Sequence, residues 1–165
     1  MKITITKTAS PKTKPNDSEL GFGKYFTDHM LISDYNEDEG WHNTRIVPFE
    51  NLSIHPASTV LHYGTEIFEG LKAYRRSDGK VQLFRPMENV RRLNNSAERL
   101  CLPQIPEEDS LQMLIEFVKC EQDWTPSSPG TSLYLRPFMF GNDETLGLHS
   151  IKNARYVIIA SPVGS

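Results

Sequence analysis

The chain has 165 residues, a length typical of one domain, and 38% of them are hydrophobic. Its formal net charge of −3 and the lack of a basic stripe exclude a nucleic-acid-binding surface. No apolar run approaches the roughly 18 residues of a membrane-spanning helix, and the N-terminus lacks the apolar core of a secretory signal, so a cytoplasmic location is predicted.

Residues 1–20 are predicted to form a flexible N-terminal arm, because positions 8–19 are rich in Lys, Pro, Ser, Thr and Asn. Residues 21–160 are predicted to form one domain, in which short apolar runs alternate with turns. The runs HMLISDY and TRIVPFENL indicate two strands, and the acidic, turn-prone segment NEDEGWHN joins them.

A short helix or turn and then a hairpin are predicted next. Pro56 favours a helix start ahead of Val60. In IFEGLKAYRRSDGKVQLFR, two strand-like runs flank Asp78-Gly79, and Asp-Gly is a strong signal for a tight turn. Tyr63 and Phe68 either wall an apolar pocket or belong to the core. Gly64 and Gly70 indicate a close approach of the backbone to another segment or to a ligand.

Two helices follow the hairpin, each with one apolar face. The first starts at Pro86 and its apolar face comprises Val90, Leu93, Ala97 and Leu100. The second starts at Pro106 with acidic residues in its first turn, and its predicted face comprises Leu111, Leu114, Ile115 and Val118. The two cysteines, Cys101 and Cys120, are too far apart for a CxxC motif and are predicted to be buried free thiols.

Two more strands, TSLYLRPFMF and RYVIIA, complete the pattern. In the first, alternation places Arg136 among aromatic residues on one face, opposite a core face of Leu133, Leu135 and Met139. A buried arginine needs an acceptor, and either a ligand carboxylate or a structural acid would serve. Residues 161–165, SPVGS, are predicted to begin a linker to a further domain.

The remaining motifs are few. Arg91 and Arg92 are either solvated on a polar helix face or suited to bind phosphate, whose oxygens match the guanidinium fork. The sequence contains no GxGxxG or GxxxxGK[ST] loop, no GxSxG or HExxH motif, and no Cys/His spacing typical of a metal site. From the residues alone, the prediction is an α+β domain with aromatic and arginine side chains on one surface.

Six segments, taken together, resemble the N-terminal half of branched-chain amino acid aminotransferases: FTDHM, HPASTVLHYGTEIFEGLKAYR, LFRP, NVRRLNNSA, SLYLRPFMFG and ASPVG. These enzymes belong to fold-type IV and depend on pyridoxal 5'-phosphate. The segments occur in the order and spacing of that family. The resemblance implies a small α+β N-terminal domain, with a mostly antiparallel sheet and two main helices.

The resemblance also implies roles for individual residues. Arg92, rather than Arg91, matches the arginine that holds the cofactor phosphate. Tyr63 and Phe68 match walls of the substrate side-chain pocket, and Tyr134 and Arg136 match residues that border the substrate.

Three apolar residues complete the implied substrate site. Phe22 matches a further wall of the pocket. Leu146 and Leu148, in the segment ETLGL, match contacts that such enzymes make in the active site of the partner subunit of a homodimer. No metal site is implied.

The implied reaction moves an amino group between leucine, isoleucine or valine and 2-oxoglutarate. It requires a lysine that forms a Schiff base with the cofactor, and the resemblance places this lysine in a second, larger domain. Lys72 does not match it, so the chain alone is expected to be inactive. Two alternatives remain open. One is another fold-type IV enzyme, such as a D-amino acid aminotransferase or an aminodeoxychorismate lyase. The other is a non-enzymatic binding or assembly module on the same scaffold.

Overall fold

Eight strands form one sheet in the computed structural model, which describes residues 1–164. They are β1 (Thr4–Ile5), β2 (His29–Asn36), β3 (Gly40–Pro48), β4 (Glu66–Phe68), β5 (Leu71–Arg75), β6 (Val81–Leu83), β7 (Ser132–Gly141) and β8 (Asn153–Val163). The order across the sheet is β1-β3-β2-β8-β7-β5-β6, with β4 also paired to β7. Only β1 and β3 run parallel within this described sheet, so the predicted mostly antiparallel α+β fold is confirmed.

Three helices accompany the sheet: α1 (Thr59–Tyr63), α2 (Pro86–Arg99) and α3 (Glu107–Glu121). Helices α2 and α3 pack together on one face of the sheet and share a core with it. None of the helices within residues 1–164 has the length and apolar character needed to cross a bilayer.

The apolar face of α2 is largely as predicted, whereas that of α3 differs. Val90, Leu93 and Ala97 are buried, but Leu100 lies beyond the end of α2 and is 44% exposed. In α3 the buried stripe contains Met113 and Phe117, which were not predicted, alongside Leu114 and Val118. Leu111 is only half-buried and Ile115 is exposed. The sequence offers two overlapping apolar stripes on α3, and packing against the sheet selects the one with the larger side chains.

Strand β7 lies inside the sheet, between β8 on one side and β4 and β5 on the other. Leu133, Leu135 and Met139 are fully buried against the helices, which confirms the predicted alternation. The β5–β6 hairpin also forms as predicted, with Gly79 at a φ of 81°, a conformation that glycine adopts without strain. The β2–β3 loop is shorter than predicted, because both strands extend into the segment NEDEGWHN.

The predicted arm makes defined contacts with the rest of the chain. The backbone N–H of Thr8 donates to His29 Nε2 at 2.9 Å, and the N–H of Lys12 donates to Asp28 at 2.8 Å. Asp17 accepts hydrogen bonds from the backbone of residues 127 and 128. His29 in turn pairs with the buried carboxylate of Glu121 at the end of α3. These contacts hold the arm against the rest of the chain at several points. The flexibility of the arm stays a prediction.

The end of the chain and one cysteine differ from expectation. Strand β8 continues to Val163, so the boundary predicted for the linker at residue 161 falls inside the last strand, which pairs there with β7. Ser165, the last residue of that predicted linker, lies outside the described residues. Cys101 is exposed just after α2, at a φ of 53°, so its predicted burial is wrong. Cys120 is half-buried, and both thiols are free.

Candidate functional site

A cavity of about 200 Å³ lies on the sheet face that α2 and α3 leave uncovered. The alternation of β7 explains its position, because Leu133 and Leu135 point toward the helices while Tyr134 and Arg136 point to the opposite side. Strand β8 supplies the adjacent floor. The lining residues are Phe22, Gly23, Phe26, Tyr134, Arg136, Ile159, Ala160 and Ser161.

Arg136 is the cationic group of this cavity. Its Nη2 donates to the Tyr134 hydroxyl at 2.9 Å, and its Cζ lies 4.4 Å from the centroid of the Phe68 ring. No carboxylate within residues 1–164 forms an ion pair with it, so a structural acid is not its partner there. One phenol oxygen and the faces of two aromatic rings contact the guanidinium, and these contacts leave some of its N–H donors free. The half-buried arginine can therefore donate two hydrogen bonds to a ligand carboxylate in a bidentate pair.

Two aromatic side chains beside this arginine are unusually exposed. Phe22 packs edge-on against Tyr134 with ring centroids 5.0 Å apart, yet it is 68% exposed. Phe68 is 58% exposed although its ring contacts Arg136. Exposed aromatic side chains that contact Tyr134 and Arg136 are typical of a surface that a ligand or another part of a protein covers. They can bury an aliphatic side chain while the arginine holds a carboxylate.

Gly70, between β4 and β5, makes room for the phenol of this site. A Cβ built on Gly70 would overlap the Tyr134 hydroxyl and lie 3.0 Å from its Cζ. The close approach predicted for Gly70 is therefore made to another chain segment. Gly64 has a different reason for being glycine, because it ends α1 at a φ of 61° and a Cβ there would meet nothing within 4 Å.

Replacing Gly70 by alanine should displace the Tyr134 ring and break its hydrogen bond to Arg136. Loss of one hydrogen bond corresponds to about two- to tenfold weaker binding of a carboxylate ligand. The arginine Nε–H signal in ¹⁵N NMR and a titration with 4-methylpentanoate measure both effects. Gly147→Ala is the matched control, since a Cβ there meets only Thr145 Oγ1 at 3.7 Å. Equal behaviour of the two variants would contradict the steric role of Gly70.

Arg92, on α2, belongs to a second polar group. Its Nε and Nη2 donate to the two oxygens of Glu69 at 2.7 and 2.8 Å, forming a bidentate pair. Asn89 donates to Glu69 Oε2 at 2.9 Å. The arginine side chain is 67% exposed, whereas the carboxylate is only 4% exposed. Burial alone would raise the pKa of Glu69, but the hydrogen bonds and charge of Arg92, with the bond from Asn89, hold that pKa below its usual value.

Tyr63, Leu146 and Leu148 form a third group, away from the lining of the cavity. The Tyr63 hydroxyl donates to the Leu146 carbonyl. Asp143 holds the base of this loop by accepting hydrogen bonds from the backbone of residues 152 and 153. Leu146 and Leu148 are 61% and 84% exposed. The loop thus presents two leucines outward, instead of adding them to the Arg136 cavity.

The structure therefore brings together four of the predicted substrate residues, and it separates the others. Phe22, Phe68, Tyr134 and Arg136 contact one another, while Arg92 and the Tyr63 group occupy other places. Glu69, Phe26 and Ser161 were not predicted to contribute. Only Glu69 gave a signal in the sequence, since alternation places this glutamate on the apolar face of the predicted strand with Leu71 and Ala73.

The fold is similar to that of part of the fold-type IV aminotransferases. The chain superposes on the branched-chain aminotransferase of the thermophilic archaeon Thermoproteus uzoniensis, a structure with norvaline, at a TM-score of 0.65. The two are 24% identical, and the match covers 83% of this chain and 42% of that chain, so this likeness shows the fold. No family model matches the chain.

Relatives found by amino-acid sequence give a closer match than the structural comparison. The chain is 50% identical over 163 residues to branched-chain-amino-acid transaminase 1 of Bacillus subtilis (strain 168), a match that covers 99% of this chain and 46% of the relative. A probable branched-chain-amino-acid aminotransferase of Staphylococcus aureus (strain N315) is 49% identical, with 45% of its length covered. The chain is thus similar, over nearly all its residues, to the N-terminal part of branched-chain aminotransferases, and the predicted resemblance is confirmed. It spans just under half the length of these relatives.

Proposed function

We propose that this chain is the N-terminal part of a branched-chain amino acid aminotransferase that interconverts leucine, isoleucine or valine and 2-oxoglutarate with the branched 2-oxo acids and glutamate. The names of the relatives described above support this choice over a D-amino acid aminotransferase or an aminodeoxychorismate lyase. A purely structural or assembly module would leave the unpaired Arg136 without a task.

One observation carries the proposal. Arg136 has free N–H donors at the edge of an apolar cavity, and no acid within residues 1–164 neutralises it. A branched-chain amino acid has the complementary chemistry, with a carboxylate next to an aliphatic side chain. The arginine would bind the carboxylate while Tyr134 orients the guanidinium. Phe22 and Phe68 would cover the aliphatic part, whose full burial contributes about 1.5–3 kcal/mol.

Pyridoxal 5'-phosphate is the cofactor of this proposal, and the described residues fit one end of it. Arg92 presents a largely exposed guanidinium beside a cavity of about 340 Å³, as a phosphate site requires. When bound, the cofactor would supply the electron sink for transamination. The role of this chain would be to bind the phosphate through Arg92 and the substrate carboxylate through Arg136.

The lysine that the cofactor chemistry needs is not assigned to this chain. Lys72 lies on the exposed side of β5 and pairs with Tyr134 on the neighbouring strand β7. The family resemblance does not give Lys72 the role of the Schiff-base lysine. We propose that the part of the relatives not covered by this sequence supplies it. The exposed Leu146 and Leu148 would then reach the active site of the partner subunit of a homodimer, and Tyr63, which is hydrogen-bonded to the same loop, would be a wall of the substrate side-chain pocket. The predicted cytoplasmic location is kept in this proposal.

The 165-residue chain, mixed with pyridoxal 5'-phosphate, leucine and 2-oxoglutarate, should form no glutamate. The physical reason is that the lysine which would bond the cofactor and move the α-proton is proposed to lie in the part of the relatives not covered by this sequence. Glutamate can be measured with a coupled dehydrogenase assay, with the Bacillus subtilis transaminase as positive control. Glutamate formation by the purified chain would overturn the proposed division of the active site.

A further inference from the structure

Glu69 is a buried carboxylate whose ion-pair partner, Arg92, is largely exposed. It follows β4, its backbone N–H donates to the Pro137 carbonyl at 2.8 Å, and only 4% of its side chain is exposed. Burying a charge is costly unless it is paired and hydrogen-bonded. Three N–H groups meet this need, two from Arg92 and one from Asn89. The buried acid is thus fixed in place by the surface arginine and by the helix that carries both partners.

The pair leaves one edge of Arg92 free. A guanidinium has five N–H donors, and Glu69 takes the Nε–H and one on Nη2. Within residues 1–164, no other group accepts from the remaining three. The free edge faces open space on two sides. One cavity, of about 340 Å³, is also lined by Phe84, Arg85 and Glu88, and the other, of about 390 Å³, is also lined by Arg99.

We infer that Glu69 is a positioning residue for phosphate binding by Arg92. The inference rests on the proposed function, in which Arg92 binds the cofactor phosphate. Glu69 holds the inner edge of the guanidinium so that the outer N–H groups point into the cavity, and Asn89 fixes the second oxygen of Glu69. A flexible, exposed arginine would otherwise lose side-chain freedom on binding, and preorganisation removes that cost.

The direction in which Glu69→Gln changes phosphate binding distinguishes positioning of Arg92 from simple neutralisation of its charge. Glu69→Gln removes a negative charge next to the phosphate site, so on electrostatic grounds alone phosphate binding should tighten. If Glu69 positions Arg92, binding should weaken about three- to tenfold instead, because the amide cannot accept from both N–H groups. Glu88→Gln is the matched control. It removes an equal charge from the same cavity without touching Arg92, so it should leave phosphate binding unchanged or slightly tighter.

The test is a ¹⁵N NMR titration of the 165-residue chain with inorganic phosphate, with sodium chloride at matched ionic strength as the salt control. Four proteins are compared: the unsubstituted chain and its Glu69→Gln, Glu88→Gln and Arg92→Ala variants. The exchange rate of the Arg92 Nε–H is recorded before phosphate is added. In the unsubstituted chain this proton should exchange slowly, because it is bonded to a buried carboxylate, and Glu69→Gln should make it exchange fast.

Weaker phosphate binding in Glu69→Gln, together with fast Nε–H exchange, supports the inference. Unchanged or tighter binding in Glu69→Gln, with weaker binding in Arg92→Ala, overturns the role of Glu69 and leaves the proposed function intact. Equal binding by Arg92→Ala and the unsubstituted chain overturns the phosphate role of Arg92, and the role of Glu69 with it. If Glu69→Gln does not fold, Glu69→Asp replaces it. Its carboxylate keeps the charge but sits one methylene further back, so binding should again weaken, and unchanged binding would overturn positioning.

Discussion

Replacing Arg136 by methionine should weaken the binding of 4-methylpentanoate, a leucine-shaped carboxylate, about tenfold or more, because hydrogen bonds to charged groups contribute about 1.5–3 kcal/mol. The variant keeps an aliphatic stem against the Phe68 ring and removes only the cationic head. Because Arg136 has no ion-pair partner within residues 1–164, stability should fall only by the loss of its ring contacts and its hydrogen bond to Tyr134, about 1–2 kcal/mol. Dissociation constants from NMR titration, with thermal melts, measure both quantities.

The control for this variant is Arg76→Met. Arg76 carries the same charge at the β5–β6 turn, where it pairs with Asp78 and does not line the cavity. It should change 4-methylpentanoate binding very little, since exposed charges are screened by salt. Equal weakening by both variants would mean that the net charge of the chain, and not the Arg136 site, governs the binding.

Replacing Leu135 by alanine should lower the free energy of unfolding by about 2–5 kcal/mol. Leu135 is fully buried between β5, β8 and the helices, so truncation leaves a cavity that its neighbours fill only in part. Leu146→Ala removes the same atoms from a side chain that is 61% exposed, and should change stability by no more than about 0.5 kcal/mol. Urea unfolding of the two variants measures the difference.

The paired comparison tests how β7 is built. The strand must carry the core on one face and the arginine site on the other, so a loss at Leu135 should also disturb Tyr134 and Arg136. A similar small loss for Leu135→Ala and Leu146→Ala would show that the β7 face against α2 and α3 is not packed as described. A large loss for Leu146→Ala would show that its loop is structural.

Part of this site can be predicted from the sequence because the patterns that indicate it lie within short segments. The alternation along TSLYLRPFMF placed Arg136 opposite Leu133 and Leu135, and the structure confirms it. The Asp78-Gly79 turn is likewise predictable, because the formation of a tight turn depends on adjacent residues. The proposed roles of its residues come from the resemblance of several motifs in order.

Other features depend on contacts between distant segments, which no local pattern encodes. The Glu69–Arg92 pair joins residues 23 apart, and neither residue type specifies the other. The predicted stripe of α3 is partly wrong because helical spacing allows two apolar stripes, and only packing against the sheet favours Met113 and Phe117. The hydrogen bond from Tyr63 to the Leu146 carbonyl spans 83 positions and depends on how the loop before β8 folds back.

In the proposed function, this chain carries the part of an amino-acid cleft that binds the carboxylate and the aliphatic side chain. The most direct measurement is an NMR titration of the unsubstituted chain with 4-methylpentanoate, in parallel with its neutral amide, followed at every assigned position. We expect the carboxylate to shift signals of Phe22, Tyr134 and Arg136, and to bind more tightly than the amide. Shifts centred away from the Arg136 cavity, or equal binding of acid and amide, would contradict the claim.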